Sequence, residues 1–263
     1  MVGAVWGALA DLVLPRTCAG CGVPGAMLCS RCAVLLTVPR LATPRRVPWG
    51  FPPTVAAGAY SGPVRPAVNA FKERGRAELA VPLGTALALA VAAAVSAVPE
   101  PRGRVLLVPV PSSRAALRAR GRDHVRELTV RAAGELREAG LPASQARLLA
   151  RRGRARDSAG LSAAARRANL AGTFQRCGEP PPGALLVLVD DVVTSGATLT
   201  EAAAELSAGA HPGDPPVLAA VIAATPRRVG TVTSRSDLRV DRNRPEIVLD
   251  GPTGRLSGPE VND

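Results

Sequence analysis

The stretch that decides the fold is LLVLVDDVVTSGATLT, residues 185–200. Residues 185–189 are all aliphatic, and an unbroken apolar run of this length predicts a strand buried on both faces of a parallel sheet. Asp190 and Asp191 follow at the point where we expect the strand to end. After a turn of small residues, apolar residues recur at helical spacing before Gly209, at Leu199, Ala202, Ala203 and Leu206. The stretch therefore predicts a strand–turn–helix unit of an α/β protein.

The turn after the two aspartates has the composition of a phosphate site. Between a strand and a helix N-terminus, free backbone N–H groups and the helix dipole attract an anion. Gly196 lets the main chain come close, and hydroxyl donors come from Thr194, Ser195 and Thr198. Carboxylates repel phosphate, so the aspartates are better suited to accept hydrogen bonds from sugar hydroxyls. Together these groups describe a ribose 5-phosphate; an ordinary turn with incidental aspartates is the alternative.

This stretch resembles the signature of type I phosphoribosyltransferases for 5-phosphoribosyl 1-pyrophosphate (PRPP). The shared pattern is a hydrophobic strand, two acids, two aliphatic residues and then TSGAT. Rival phosphate motifs are absent from the sequence, which has no GxxxxGK[ST] and no GxGxxG after a strand. The resemblance implies a Rossmann-like parallel-sheet core that binds PRPP with Mg²⁺.

Four cysteines near the N-terminus form two CxxC pairs, Cys18 with Cys21 and Cys29 with Cys32. Two pairs of thiolates at this spacing match the tetrahedral coordination of structural Zn²⁺, which leaves no open position for catalysis. Two disulfides or a redox pair are the alternatives, and both fit a cytoplasmic chain poorly. We therefore predict a small zinc ribbon that stabilises the N-terminal module.

The positive charge of the chain is concentrated in one segment. The whole chain carries a formal net charge of +12, and 17 arginines against 5 acidic residues lie between Arg102 and Arg176. Such a segment suits a polyanionic ligand such as PRPP, but also a nucleic-acid backbone or merely a solvated surface. Aromatic residues make up only 2% of the chain, so the stacking by which proteins usually hold single strands has little material.

Two apolar segments raise the question of a membrane. The N-terminal MVGAVWGALADLVLP has no basic residue before its apolar part, which argues against a signal peptide. Residues 79–98 contain no charge and are long enough to span a bilayer. Alanine dominates them, Pro82 and Gly84 interrupt them, and no aromatic belt flanks them. We expect a helix packed on the sheet of a cytoplasmic protein without a membrane contact.

The remaining segments predict further elements of the same α/β core. Residues 105–110 predict a second aliphatic strand, which runs into a tight, hydroxylated, basic loop and so into a second anion site. Residues 122–139 predict an amphipathic helix with Val125, Leu128, Ala132 and Leu136 on its apolar face. The other predicted elements are a strand, turn and helix over 60–80, a short strand at 146–150, and a strand at 217–225 that closes the sheet.

These elements predict three regions. Residues 1–55 form the zinc-ribbon module, in which 33–53 is a linker or hood, and residues 56–225 form the phosphoribosyltransferase-like domain. The connection 151–175 is long and basic, as lids beside anion sites often are. Residues 226–263 mix arginines, acids, prolines and glycines without helical periodicity, which predicts a disordered tail.

With these segments in order, the chain is similar to the ComF family, in which a four-cysteine zinc finger precedes a phosphoribosyltransferase domain. The carrying motifs are CxxC…CxxC, FKERGR, LVPVPSSR, ARGRDHVREL, GLSAAARRANLAGTF and LVLVDDVVTSGATL, which together extend over about residues 18–225. The chain departs from many relatives in having Arg122, Asp123 and His124 after Arg-Gly, where they have aromatic-Asn-Gln. It also lacks their glutamine before GLS.

The resemblance implies roles for individual residues. Asp190 and Asp191 would meet the ribose hydroxyls and would be the catalytic residues. The PRPP-binding loop would comprise both acids with Val192, Val193, Thr194, Ser195, Gly196, Ala197 and Thr198. The pyrophosphate loop would comprise Pro109, Val110, Pro111, Ser112, Ser113 and Arg114. The flexible loop over the site would contribute Arg166, Arg167 and Asn169.

Two functional hypotheses follow. One is an enzyme that transfers phosphoribose from PRPP to an acceptor, with Mg²⁺ neutralising the departing pyrophosphate and carboxylates stabilising an oxocarbenium-like transition state. His124 could act in acid–base chemistry, or be structural or exposed. The other is a non-enzymatic accessory protein of DNA uptake, which would bind single-stranded DNA or a helicase. The sequence leaves the acceptor and the oligomeric state open, a homo-oligomer included.

Overall fold

The protein is a three-layer α/β structure in a computed structural model, which describes residues 16–44, 46–98, 103–152, 172–210 and 213–226 and two short strands at 239–240 and 247–248. The strands are β1 (Arg40–Leu41), β2 (Thr54–Ala59), β3 (Val105–Pro109), β4 (Ala143–Gln145), β5 (Leu149–Arg151), β6 (Phe174–Arg176), β7 (Leu185–Val193), β8 (Leu218–Ala224), β9 (Arg239–Val240) and β10 (Ile247–Val248). The helices are α1 (Ser30–Ala33), α2 (Val64–Glu73), α3 (Ala80–Ser96), α4 (Arg114–Arg120), α5 (His124–Glu138) and α6 (Ala197–Ser207).

A six-stranded sheet in the order β1-β2-β8-β7-β3-β4 forms the middle layer. Five of its strands are parallel, and β1 pairs with β2 in the antiparallel direction at one edge. All of β8 and the first five residues of β7 are buried, because helices or loops cover both faces of the sheet. The predicted α/β class with a largely parallel sheet is therefore confirmed.

The two faces of the sheet carry different helices. On one face, α2, α3 and α5 pack on alternate residues of β7, namely Leu185, Val187 and Val189. On the other face, α6 packs on Leu186 and Leu188, together with the ribbon formed by β5 and β6. The apolar faces that the periodicity predicted for α5 and α6 are both buried. Their helical pattern therefore placed them correctly against the core.

The apolar segment at 79–98 contains the whole of α3. By length and composition alone, residues Ala77–Ser96 could cross a membrane, with a mean hydropathy of 2.0. In the fold the helix packs on β2, β8 and α5, and it buries Leu83, Leu87, Val91 and Val95. Gly84 allows the closest approach, since a Cβ there would lie 2.4 Å from the Arg131 side chain. The predicted packing of this helix on the sheet is confirmed.

Several predicted boundaries differ from the structure. The strand expected at the start of 60–80 lies earlier, at β2, because Thr54–Ala59 is a short run of small apolar residues that fits between β1 and β8. The residues on either side of the domain boundary expected after residue 55 belong to β2, and the division into domains stays a prediction. The strand expected at 217–225 does not close the sheet, because β2 continues it on the far side. The prediction of a disordered tail at 226–263 falls almost entirely outside the described residues.

The N-terminal module packs directly on the core. Leu36 is 2% exposed and belongs to the same apolar cluster as α2 and α3. Gly58 of β2 lies so close to the Leu35 carbonyl that a Cβ would approach it to 2.6 Å. Arg76 Nη1 donates to the Thr17 carbonyl at 2.9 Å. These contacts hold the cysteine-bearing segment against the α2 side of the sheet.

Candidate functional site

The loops that follow β3 and β7 open side by side at the carboxyl edge of the sheet. Pro109 is paired with Val189, and the Val110 N–H donates to the Val189 carbonyl at 2.9 Å. From β3 the chain continues to β4 on one side, whereas from β7 it continues to β8 on the other side. Open α/β sheets bind ligands at such topological switch points. The fold therefore brings both predicted anion loops to one crevice.

The turn between β7 and α6 has the geometry of an open anion site. Gly196 has a φ of 77°, which is strained for other residues and turns the main chain into α6. Thr194 and Ser195 are exposed, and Thr198 is half-buried. Among the described residues, no group accepts a hydrogen bond from the N–H of Thr194, Ser195 or Thr198. These donors at the helix N-terminus are thus available to a ligand.

The predicted hood segment reaches the outer side of this turn. A Cβ on Gly196 would lie 2.7 Å from the Phe51 ring and 3.0 Å from Pro44 Cγ. A Cβ on Gly50 would meet the methyl group of Thr200 at 3.9 Å. The turn is therefore supported from behind by residues of the N-terminal module, and Gly196 is required by space as well as by its φ.

The predicted pyrophosphate loop lines the other side of the crevice. Ser113 caps α4, because its Oγ accepts from the Ala116 N–H at 3.1 Å. Ser112 is half-buried beside it, and Arg114 is exposed. The cavity between this loop and β7 has a volume of about 210 Å³ and is lined in part by Val110, Pro111, Ser112, Ser113 and Thr198.

The two aspartates lie inside β7, whereas the sequence placed them after its end. The strand extends to Val193 because β8 continues to pair with it up to Ala224. Successive side chains of a strand point to opposite faces, so the two carboxylates reach the cavity from different sides of the sheet. Val192 is half-buried and Val193 is buried. Both aspartates, Asp190 and Asp191, line the cavity.

Asp191 is a buried carboxylate with two cationic or proton-donating partners. It is 3% exposed, and its Oδ2 accepts from Lys72 Nζ and from His124 Nε2, both at 2.8 Å. Burial would raise the pKa of Asp191, but His124 and Lys72 outweigh it and lower the pKa to about 2. Asp191 is consequently ionised at every physiological pH.

Asp190 has a different environment although it is the next residue. Its Oδ1 accepts from the Asp191 N–H at 2.8 Å, and no cation contacts it directly among the described residues. Burial and the neighbouring charge of Asp191 raise the pKa of Asp190 to about 7, against the opposing charges of Lys72 and Arg151. A carboxyl group that titrates near neutral pH in a cavity is typical of functional sites.

Lys72 and His124 are functional candidates that sequence reasoning passed over or left open. Lys72 lies in the FKERGR motif, to which the sequence analysis gave no role. His124 is 2% exposed, and its Nε2 is hydrogen-bonded to Asp191. A signal was present, because Lys72 is the only lysine in a chain with 33 basic residues. A single lysine against many arginines indicates a position where a compact ammonium is needed.

Two arginines complete the positive side of the cavity. Arg120 forms a bidentate pair with Glu73, with N–O distances of 2.8 and 3.1 Å. Arg151 stacks on the Phe174 ring, and its buried Nε has no partner among the described residues. Burial lowers the pKa of Arg151, and the charge of Asp190 opposes that effect. The cavity therefore combines two carboxylates with Lys72, Arg120 and Arg151.

The predicted flexible-loop residues Arg166, Arg167 and Asn169 lie outside the described residues. The described ends of that connection are β5 and β6, which pair in the antiparallel direction with Arg151 opposite Phe174. Arg151, at the start of the connection, is one of the cavity residues.

The four predicted zinc ligands form one cluster. The Sγ atoms of Cys18, Cys21, Cys29 and Cys32 all lie within 4.8 Å of one another. Burial raises the pKa of Cys18, but N–H donors led by that of Cys29 outweigh it and lower the pKa to about 6. Burial and the neighbouring thiols raise the pKa of Cys32 above its usual range. Such a cluster could hold a metal ion such as zinc, which would keep all four sulfurs as thiolates.

We expect purified protein to contain about one equivalent of zinc, because four sulfurs at this spacing complete a tetrahedral site. Cys21→Ser should lower the metal content sharply, whereas Cys177→Ser should leave it unchanged, since Cys177 lies outside the cluster. Elemental analysis with a thiol titration measures both. A folded, metal-free protein with the four cysteines oxidised would contradict this prediction.

The chain matches no protein-family model and no curated protein.

Proposed function

We propose that this chain binds PRPP at the carboxyl edge of β3 and β7 and transfers its phosphoribosyl group to an acceptor. The observation that supports the proposal most is the convergence of two anion loops, two carboxylates and three cationic side chains on one cavity at the topological switch point. This combination matches a ligand with a phosphate at one end, a diol in the middle and a pyrophosphate at the other end. The finer assignment to the ComF-like phosphoribosyltransferases, suggested by the sequence motifs, is part of the proposal.

The 5-phosphate would lie on the turn between β7 and α6. The backbone N–H groups of this turn and the hydroxyls of Thr194, Ser195 and Thr198 would donate to the phosphate, and the dipole of α6 would add to the attraction. The ribose hydroxyls would donate to the two carboxylates at the end of β7, where a phosphate would be repelled.

The pyrophosphate would lie towards the loop 109–114 and the cationic side of the cavity. Lys72, Arg120 and Arg151 supply positive charge there, which stabilises the negative charge that develops on the leaving group. Mg²⁺ would bind together with PRPP and would neutralise part of the negative charge of the pyrophosphate. No residue of the chain is proposed as a ligand of Mg²⁺.

The reaction would be a displacement at the anomeric carbon of the ribose. A bond from the acceptor nucleophile to this carbon forms while the bond to the pyrophosphate oxygen breaks, and the proton of the acceptor passes to solvent. Positive charge develops on the sugar ring in the transition state, and the carboxylates of Asp190 and Asp191 would stabilise it. The cationic side chains hold the departing pyrophosphate away from that charge.

Titration calorimetry with Mg-PRPP tests the proposal, with ribose 5-phosphate and pyrophosphate titrated separately. We expect saturable binding of PRPP, and a loss of about tenfold or more in affinity for Asp190→Asn, because a charge-assisted hydrogen bond contributes about 1.5–3 kcal/mol. Glu138→Gln is the matched control, since it removes the same charge at the exposed opposite end of α5.

Release of pyrophosphate from PRPP with a panel of purine and pyrimidine bases then tests the transfer itself. Absence of PRPP binding by the wild-type protein would contradict the proposal. Oligonucleotide binding with a steep salt dependence, in the absence of any response to PRPP, would favour the accessory role in DNA uptake.

A further inference from the structure

Lys72 and His124 converge on the same oxygen of one aspartate. Lys72 Nζ and His124 Nε2 each lie 2.8 Å from Asp191 Oδ2. The other oxygen, Oδ1, has no hydrogen-bond partner among the described residues, and Asp191 is one of the residues that line the cavity. The carboxylate is therefore held through one oxygen and open through the other.

The imidazole is fixed in both orientation and protonation pattern. The His124 ring contacts the Phe71 ring edge to face at 6.2 Å, and Arg122 covers Phe71 at 4.3 Å. Because an ionised Asp191 can only accept, His124 Nε2 must carry the proton that it shares with Oδ2. Nδ1 is buried and has no partner among the described residues. These contacts hold the N–H of His124 on Asp191 and leave the ring little freedom to turn.

We propose that Lys72 and His124 are positioning residues, which orient Asp191 so that its Oδ1 accepts a hydrogen bond from a ribose hydroxyl of the ligand. The inference rests on the proposed function, since it assigns the sugar-binding group of that site. It also gives the two acids different roles. Asp191 is a hydrogen-bond acceptor held in place by Lys72 and His124, whereas no cation contacts Asp190 directly among the described residues.

Lys72 has a second consequence for the ligand. Burial alone would lower the pKa of Lys72, but the Asp191 carboxylate outweighs burial and raises this pKa above its usual range. The ammonium thus stays charged beside a pair of acids that would otherwise repel an anionic sugar phosphate. Lys72 is 28% exposed in its side chain, whereas Asp191 is 4% exposed, so the pair is accessible from the lysine side.

A matched pair of substitutions at His124 tests this role. His124→Gln keeps an N–H donor close to the position of Nε2, whereas His124→Leu fills the space without a donor. In calorimetry with Mg-PRPP we expect His124→Gln to remain within about threefold of the wild type and His124→Leu to lose about tenfold. Rescue by glutamine separates hydrogen-bonded positioning from mere filling of space.

A spectroscopic measurement on the wild type complements the affinities, in case His124→Leu folds poorly. The chain has two histidines, so ¹⁵N-edited spectra of the imidazoles can be assigned by comparison with His124→Gln. We expect the proton of neutral His124 on Nε2; a proton on Nδ1 instead would overturn the inference. Equal PRPP affinity of all three proteins would overturn it while the proposed function stands, and failure of the wild type to bind PRPP would remove both.

Discussion

Asp190→Asn is expected to stabilise the protein at pH 8 by about 2–3 kcal/mol, while it weakens PRPP binding. Burial and the charge of Asp191 raise the pKa of Asp190 from 3.8 to about 7, so the folded protein holds this proton more tightly than the unfolded chain does. The ionised form is therefore destabilising in the fold. The full difference corresponds to about 4 kcal/mol, and we expect less because Asp190 is partly exposed to solvent.

The direction of the pH dependence follows from the raised pKa. Below about pH 4 the carboxyl is protonated in both states, and Asp190→Asn should have little effect. As the pH rises from about 4 to about 7, the unfolded chain loses the proton first, so the wild type loses stability relative to the variant. Above pH 7 the difference is constant. Asparagine keeps an oxygen that can accept from the Asp191 N–H, which Asp190 Oδ1 now does at 2.8 Å.

Urea unfolding of both proteins at several pH values between 4 and 8 measures this difference, with Glu138→Gln as the control that should show none. A variant that is equal to or less stable than the wild type at pH 8 would show that Asp190 is ordinarily solvated. A site that is destabilising when empty is typical of function, because evolution retains a group there at the expense of stability.

The sequence predicted the parts of this fold whose patterns are local. The aliphatic runs of β3, β7 and β8 were predicted, as were the apolar faces of α5 and α6. Burial of a strand or a helix requires apolar residues in a continuous run or at a regular spacing, and this pattern is visible in the sequence. The two loops predicted to bind anions were located for a similar reason, and their binding role stays a prediction. Each consists of consecutive residues after a strand, and their meeting follows from the parallel order of the strands.

What the sequence did not predict depends on contacts between distant residues. The ion pair of Lys72 with Asp191 joins positions 119 residues apart, and the contact of His124 spans 67. No periodicity records such a contact; only the rarity of lysine and histidine in this chain pointed to them. The end of β7 was misplaced because Asp190 and Asp191 interrupt its apolar run, while the hydrogen bonds of β8 carry the strand further.

Gly196→Ala is expected to lower the free energy of unfolding by about 2–4 kcal/mol and to impair PRPP binding. Two effects add at this position. A side chain at a φ of 77° costs about 1–2 kcal/mol, and the new Cβ would lie 2.7 Å from the Phe51 ring and 3.0 Å from Pro44, which are not flexible chain ends. Gly196 is buried against the hood, so the substitution affects the fold as well as the turn.

Gly178→Ala separates the two effects. Gly178 has a φ of 85°, but a Cβ there would meet nothing within 4 Å, so its substitution should cost only the strain of the backbone. The excess cost at Gly196 then measures the contact with the hood. Phe51→Leu should recover part of that excess in the double variant, because it removes the ring that the Cβ strikes. Equal costs at Gly178 and Gly196, with additive effects of Gly196→Ala and Phe51→Leu, would mean that the hood does not support the turn. A coupling between them would link the proposed phosphate site to the N-terminal module, and removal of a metal ion from the cysteine cluster should then loosen the turn as well.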